Sequence, residues 1–352
     1  MPRSFSFLFV GLVAASLSLL VLSSKDILAL TKCTICHGKR ELRKIQPTGK
    51  LVSLYVDEWV LQNSVHAKQA CTDCHSDVVE IPHKGKLVEK VNCTRCHYRG
   101  NPAGAPQMVK YTEYAESVHG IAARAGNQKA PVCQDCHGAH NVRKHADPQS
   151  GMWRGTISET CGRCHLEVYS VYRESIHGRA VKEGKLDSAV CTDCHGEHSI
   201  KSPENPESTV YLTNIPQTCP KCHAPKGIAS KYGIKTGQVK TFEDSFHGIG
   251  IKFGMKTVAS CASCHGVHDI RAADDLRSTV HIKNIPTTCG KCHSGANINY
   301  AKGRIHVDPK KKESGAIFYV SFFFKWLTIS VMLGLLAHMA LDLSRRARER
   351  KR

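Results

Sequence analysis

Apolar positions crowd the two ends of the chain and thin out between them. Near the N-terminus, an apolar run from Phe5 to Leu22 follows Arg3 and is succeeded by Ser23, Ser24, Lys25 and Asp26. One positive charge, an apolar stretch and a polar exit make an export signal. Residues 1–29 are read as a signal peptide cut near Ala29, or as an N-terminal hydrophobic anchor that is retained. At the other end, residues 316–343 (AIFYVSFFFKWLTISVMLGLLAHMALDL) are read as a transmembrane helix and 344–352 (SRRARERKR) as a basic cytoplasmic tail. Trp326 to Leu343 is 18 residues, just enough for a helix to cross a bilayer. Lys325 and Trp326 suit the outer interface and the arginines the inner one. Flanking charges of this kind argue against a buried soluble helix, and both ends give one topology, with the middle of the chain outside.

That middle, 30–310, carries no long apolar period. The chain has 27 Gly and 14 Pro and is only 7% aromatic, too thin an apolar inventory for an ordinary core of its length. Stretches such as YTEYAESVHGIAARAG and VYSVYRESIHGRAVKEG favour helix and end near glycine. The pattern predicts a mainly α chain with extensive coil, in which short helices are joined by loops and little secondary structure is regular.

Cysteine changes the picture. In CTDCHGEHSI, residues 191–200, two cysteines and two histidines fall within eight positions. C-x-x-C alone could be a redox dithiol or half of a zinc site, but a histidine directly after the second cysteine makes the attachment signature of c-type haem. Two thiols would form thioethers to the porphyrin, and the imidazole would bind the iron. The triplet occurs nine times. The copies are Cys33/Cys36/His37, Cys71/Cys74/His75, Cys93/Cys96/His97, Cys133/Cys136/His137 and Cys161/Cys164/His165, then Cys191/Cys194/His195, Cys219/Cys222/His223, Cys261/Cys264/His265 and Cys289/Cys292/His293. Together they use all 18 cysteines. A disulfide scaffold would not need a histidine behind every second cysteine, and complete triplets do not group into four-ligand zinc sites. Nine covalent haem c groups are expected. Their propionates would bring about eighteen negative charges against the formal +19 of the chain, so the positive charge points to no nucleic-acid partner.

The triplets lie in repeats, assigned to 56–110, 111–170, 171–235 and 236–306. Each regular unit holds an S-x-H-G box, a C-x-x-C-H-G-x-H motif and a plain C-x-x-C-H. His119 to Cys133, His177 to Cys191 and His247 to Cys261 are each 14 residues apart, and the two first cysteines of each unit are 28 apart. The first copy, with box SVHA at 64–67, compresses these distances to 5 and 22. A second imidazole on each iron gives a six-coordinate electron carrier. Every repeat supplies two attachment motifs and two spare histidines, so the count is expected to close within the repeat. The distal candidates are His66, His83, His119, His140, His177, His198, His247, His268 and His306. His306 suits the haem left over at Cys33, or a shifted pairing. His281, at the place of Trp153 and Tyr211, is a packing residue, and His145 a solvent residue.

SFHGIGIKFGMKTVASCASCHGVHDI followed by STVHIKNIPTTCGKCH resembles the multihaem c-type cytochromes of anaerobic and metal-reducing bacteria. In some of these an exported haem region is coupled to a b-type cytochrome in the membrane. The resemblance covers roughly Val56 to Leu343 and implies a repeat-built cytochrome c domain on the periplasmic side of the bacterial inner membrane. It would pass electrons between the quinone pool, or an integral cytochrome b-like or quinone-reactive subunit, and periplasmic or extracellular acceptors. The chain departs from the fused members by having one helix at the membrane, so a separate subunit would be needed, with His338 as ligand to a shared b-type haem or as a quinone contact. The alternative is a multihaem reductase of a small oxyanion such as nitrite, tetrathionate or hydroxylamine. That chemistry needs one iron with an exchangeable position, whereas enough spare histidines exist to close every site, so no catalytic residue is assigned.

Overall fold

The computed structural model describes residues 33–45, 49, 51–83, 91–98, 100–102, 109–224, 228–301 and 306–350. The segment read as an export signal, 1–29, lies outside them. The described residues divide into two compact units, with the boundary after Ser202.

Apart from the antiparallel ribbon of Arg43–Ile45 with Leu51–Ser53, where Lys44 faces Val52, the described regular structure is helical and mostly four to seven residues long. The ends of these helices are set by a few polar side chains. The stretch YTEYAESVHGIAARAG forms two helices: Val109–Ala115 and Val118–Arg124 meet at Ser117, whose hydroxyl accepts from Gly120 N at 3.1 Å and donates to Tyr114 O at 2.7 Å. Ser175 accepts from Gly178 N at 3.1 Å and Ser245 from Gly248 N at 3.2 Å in the same way. An N-cap serine stops one helix and starts the next. The box glycine follows from packing, since a Cβ on Gly120, Gly178 or Gly248 would strike the carbonyl oxygen of Tyr114, Tyr172 or Phe242.

Four of the attachment motifs are themselves single helical turns. In Cys71–Cys74, Cys133–His137 and Cys191–His195 the third residue is an aspartate whose carboxylate accepts the N–H of the residue ahead of the first cysteine, at 2.8, 2.8 and 2.7 Å. In Cys261–His265 the hydroxyl of Ser263 does so at 3.0 Å. Gly138, Gly196 and Gly266 then take φ of +82 to +84°, a left-handed conformation that ends the turn directly behind the histidine.

Among the described residues, buried apolar side chains are few: Ala130, Ile157, Val190, Ala229, Phe242 and Ile251. Seven buried serines outnumber them, so polar bonds rather than an oily core set the chain's path. The pairs Thr218–Thr209 and Thr288–Thr279 repeat one Oγ-to-carbonyl bond at 2.7 Å, and Asn214 and Asn284 each bridge two carbonyls in the same places. Ala316–Glu349, in contrast, is one helix of 34 residues, about 51 Å long. It runs on through the segment read as a tail because Asp342 pairs with Arg346 at 2.9 Å and Arg345 with Glu349 at 3.7 Å across single turns.

Candidate functional site

Seven histidine pairs face each other ring to ring. Their centroids are 6.0 Å apart for His37–His83, 6.2 Å for His66–His97, His75–His140 and His119–His165, 5.8 Å for His137–His198, 6.1 Å for His247–His293 and 6.2 Å for His265–His306. A transition metal bonded at about 2.0 Å to two imidazole nitrogens, each about 1.1 Å from its ring centre, sets the rings roughly 6.2 Å apart. Every pair joins one attachment histidine to one spare histidine. The remaining attachment histidines, His195 and His223, and spare histidines, His177 and His268, are equal in number.

The pairing corrects one sequence expectation. Box histidines meet the plain motif of their own repeat, as in His66–His97, His119–His165 and His247–His293. The H-G-x-H histidines reach back one repeat: His140 faces His75 and His198 faces His137. Val65 N donates to Val142 O and Val118 N to Ile200 O, both at 2.9 Å, which lays each H-G-x-H strand on the preceding box. The left-handed glycine behind His137, His195 and His265 turns the chain away from that histidine, so the one three residues on faces a different partner. His83 and His306 close the ends of the series, with His37 and His265.

Electrostatics and hydrogen bonding suit these rings to donate a lone pair. Burial, then the facing ring, holds His66, His119, His137, His140, His247 and His265 below the ordinary imidazole value, so they are neutral near pH 7. His37 Nδ1 donates to Leu54 O at 2.8 Å, which fixes the tautomer and leaves Nε2 to bind. His198 Nδ1 is buried without a hydrogen-bond partner. Among the described residues no three His, Cys, Asp or Glu side chains gather as a protein-only metal site requires. Donors arriving in twos fit an iron whose other four bonds come from a porphyrin. A cleft of about 410 Å³ lined by Cys136, His137, Asn141, Thr160 and Arg163 opens beside an attachment motif.

How the motifs neighbour one another has no sequence signal. The thiols of Cys33 and Cys71, Cys93 and Cys133, and Cys161 and Cys191 lie within hydrogen-bonding reach, as do Cys219 and Cys261 in the second unit. In each couple one thiol donates and is raised. Its partner is stabilised as thiolate where it accepts: Cys133 falls to about 7 and Cys191, also 3.6 Å from the Ser158 hydroxyl, to about 6. The second cysteines make the alternate contacts, with Cys74 beside Cys96, Cys136 beside Cys164, and Cys264 beside Cys289 and Cys292. Arg163 Nη2 donates to Asp135 O at 2.5 Å across one of these junctions. Within each unit, then, consecutive motifs in sequence are neighbours in space.

Cys36 is exposed. Cys222 is half-buried in Pro220–His223, a turn that starts inside its motif, at Pro220, rather than at the first cysteine. Tyr300, 5.4 Å from the His293 ring, is a further residue at the site that no repeat marks.

Attachment cysteines in this spacing, with imidazoles paired across a metal's width, define an electron-transfer protein that carries covalent haem c, and the chain is a multihaem c-type cytochrome. Curated relatives agree with that class. The chain is 28% identical over 130 residues to the multihaem cytochrome MtrC of Shewanella baltica (strain OS185), a match covering 37% of this chain and 18% of the relative. It is 25% identical over 158 residues to the tetrahaem c-type cytochrome CymA of Shewanella oneidensis, covering 40% of this chain and 80% of that protein. No family model matches the chain, and no solved structure does. The Ala316–Glu349 helix is long and apolar enough to cross a membrane.

Proposed function

We propose that the protein is a nine-haem relay anchored in the bacterial inner membrane, with its haem region on the periplasmic side. It would carry electrons between the quinone pool, or a cytochrome b-like subunit, and acceptors outside. Bound haem c supplies one-electron oxidation and reduction at iron. The chain's own part is to hold each porphyrin by two thioethers, to close both axial positions with histidine, and to set consecutive attachment edges side by side. The observation that carries this reading is the set of seven ring pairs at 5.8–6.2 Å, because an iron closed on both faces has no position for an oxyanion. The proposed ligands are the nine attachment histidines and the nine spare ones, and the proposed thioethers use every cysteine, Cys36 and Cys222 included.

The membrane helix supports a partner subunit. Its side chains are exposed along almost its whole length, and His338 stands one turn before Asp342, which is paired with Arg345 and Arg346. An ionisable side chain within a span is a functional candidate, here as a b-type haem ligand shared with the partner or as a quinone contact.

The test is electron paramagnetic resonance of the oxidised full-length holoprotein, with the mass of the denatured chain. Only low-spin ferric signals and a mass of chain plus nine haems are expected. A high-spin ferric signal that shifts on adding nitrite or hydroxylamine would overturn the relay in favour of a reductase.

A further inference from the structure

The last box helix differs from its sisters on one face. Phe246, Ile249 and Phe253 stand at i, i+3 and i+7 along Phe246–Lys252 and its C-cap, which aligns them in one stripe. They are 94%, 42% and 80% exposed. The sister positions hold Val118, Ile121 and Ala125 in one box and Ile176, Arg179 and Glu183 in another. Val118 and Ile176 are only 38% and 40% exposed, and the next repeat lies against Val118 through its bond to Ile200. No box follows the last one. Residues 307–315 lead instead to the membrane helix.

That short connection identifies what lies opposite the stripe. His306 Nδ1 is 3.1 Å from Thr241 Oγ1, so the chain is pinned beside Gln238–Glu243, the helix leading into the box. From there nine residues reach Gly315, at most about 32 Å even if fully extended. The apolar part of the membrane helix, 316–343, is about 42 Å long, matching the bilayer with both interfaces, so Gly315 falls at the outer surface. Exposed Lys252 and Lys256 flank Phe253, and exposed Lys310, Lys311 and Lys312 line the connection. Bare phenylalanines on one helix face with lysines at their edge fit an anionic lipid interface. An apolar patch turned to water would instead be a liability.

We propose that the Phe246/Ile249/Phe253 face seats on the outer surface of the bilayer that its own C-terminal helix crosses, bringing His247 and His293 to the lipid interface as the membrane-side port of the relay. The seating itself rests on membrane anchorage, and only its meaning as a port rests on the relay reading.

Hydrogen exchange of the full-length holoprotein tests it, read by mass spectrometry over 246–256 with the sister helices 118–125 and 176–183 as references. The protein is compared in nanodiscs of phosphatidylethanolamine and phosphatidylglycerol and in amphipol, which offers no bilayer surface. Exchange over 246–256 should slow at least tenfold in nanodiscs, while the references stay unchanged. In Phe246→Ser/Phe253→Ser the slowing should vanish, with haem mass and visible spectrum as in the parent. If the double variant loses haem, Phe253→Ser at the helix end makes the same comparison. Equal exchange in both media, slowing that survives the serine substitutions, or slowing seen only with two copies per disc would each overturn the proposal. None of these readouts depends on electron transfer, so failure of the relay reading would leave them interpretable.

Discussion

The haem region and the membrane helix solve opposite problems with the same twenty side chains. Among the described residues between Cys33 and His306 the helices are a turn or two long, and buried serines outnumber buried apolar residues. Position there is fixed by individual caps, by glycines that meet carbonyls, and by hydrogen bonds that recur from repeat to repeat. Ala316–Glu349 has 34 residues in one helix and no buried side chain, and its length and apolar composition suffice to define it. A region whose geometry must hold imidazoles at metal spacing tolerates little local change. One whose proposed task is to cross a bilayer tolerates a great deal.

The same substitution placed in each region should break this contrast or sharpen it. A Cβ on Gly178 would lie 2.7 Å from Arg173 Cα and strike Tyr172 O, backbone atoms that cannot move aside, whereas one on Gly334 meets nothing within 4 Å. Gly178→Ala should cost roughly 2–4 kcal/mol, and Gly334→Ala should stay within about 0.5 kcal/mol. Denaturant unfolding of the detergent-held holoprotein, with haem content by mass, measures both. Equal effects would mean that the box backbone is not held as described.

A gentler change separates ligand from scaffold. His198→Met leaves Cys133, Cys136, Cys191 and Cys194 in place, so haem should remain attached while one potential moves upward, within the roughly 0.8 V that axial ligands command. His145, which is exposed, gives the control: His145→Met should leave the redox titration superimposable on that of the parent. If His198→Met titrates like the parent as well, the 5.8 Å approach of His198 to His137 is packing alone.

Much of this is legible in the order of the residues. The triplets, the repeat offsets of 14 and 28 and the terminal apolar runs are periodic or contiguous signals, and they lead to the class, the mainly α content and the membrane helix. Pairing is not legible, because it depends on where a left-handed glycine sends the chain. Nothing in C-x-x-C-H-G-x-H says that the second histidine faces the motif of the preceding repeat. The break of each box segment at its serine is readable in principle, since Ser117, Ser175 and Ser245 are good N-caps, but helix-favouring neighbours mask it. The thiol couples such as Cys161–Cys191 and the ring contact of Tyr300 are tertiary, with no local signature.

The smallest expected effect lies in an ion pair that the repeats share. Asp275 accepts from Arg277 N at 2.9 Å and faces the Arg277 and Arg271 guanidinium groups at 3.3 and 3.4 Å, and Asp147 with Arg143 takes the same place in an earlier repeat. The Arg277 contacts, and then Arg271, hold the Asp275 carboxyl down at about 2, against an unfolded value near 3.9. A carboxylate depressed by folding adds stability that is complete above the unfolded value and is lost as pH falls through the folded one. Asp275→Asn should therefore lower the unfolding midpoint slightly at pH 7. The gap should narrow from about pH 4 downward and close near pH 2. Parallel thermal melts of parent and variant at pH 7, 4 and 2.5 would follow it, with Asp342→Asn in the membrane helix as the contrast from the other region. Melts of Asp275→Asn that matched the parent at every pH would assign its role to the uncharged turn, where the asparagine oxygen can still accept from Arg277 N, and not to the ion pair.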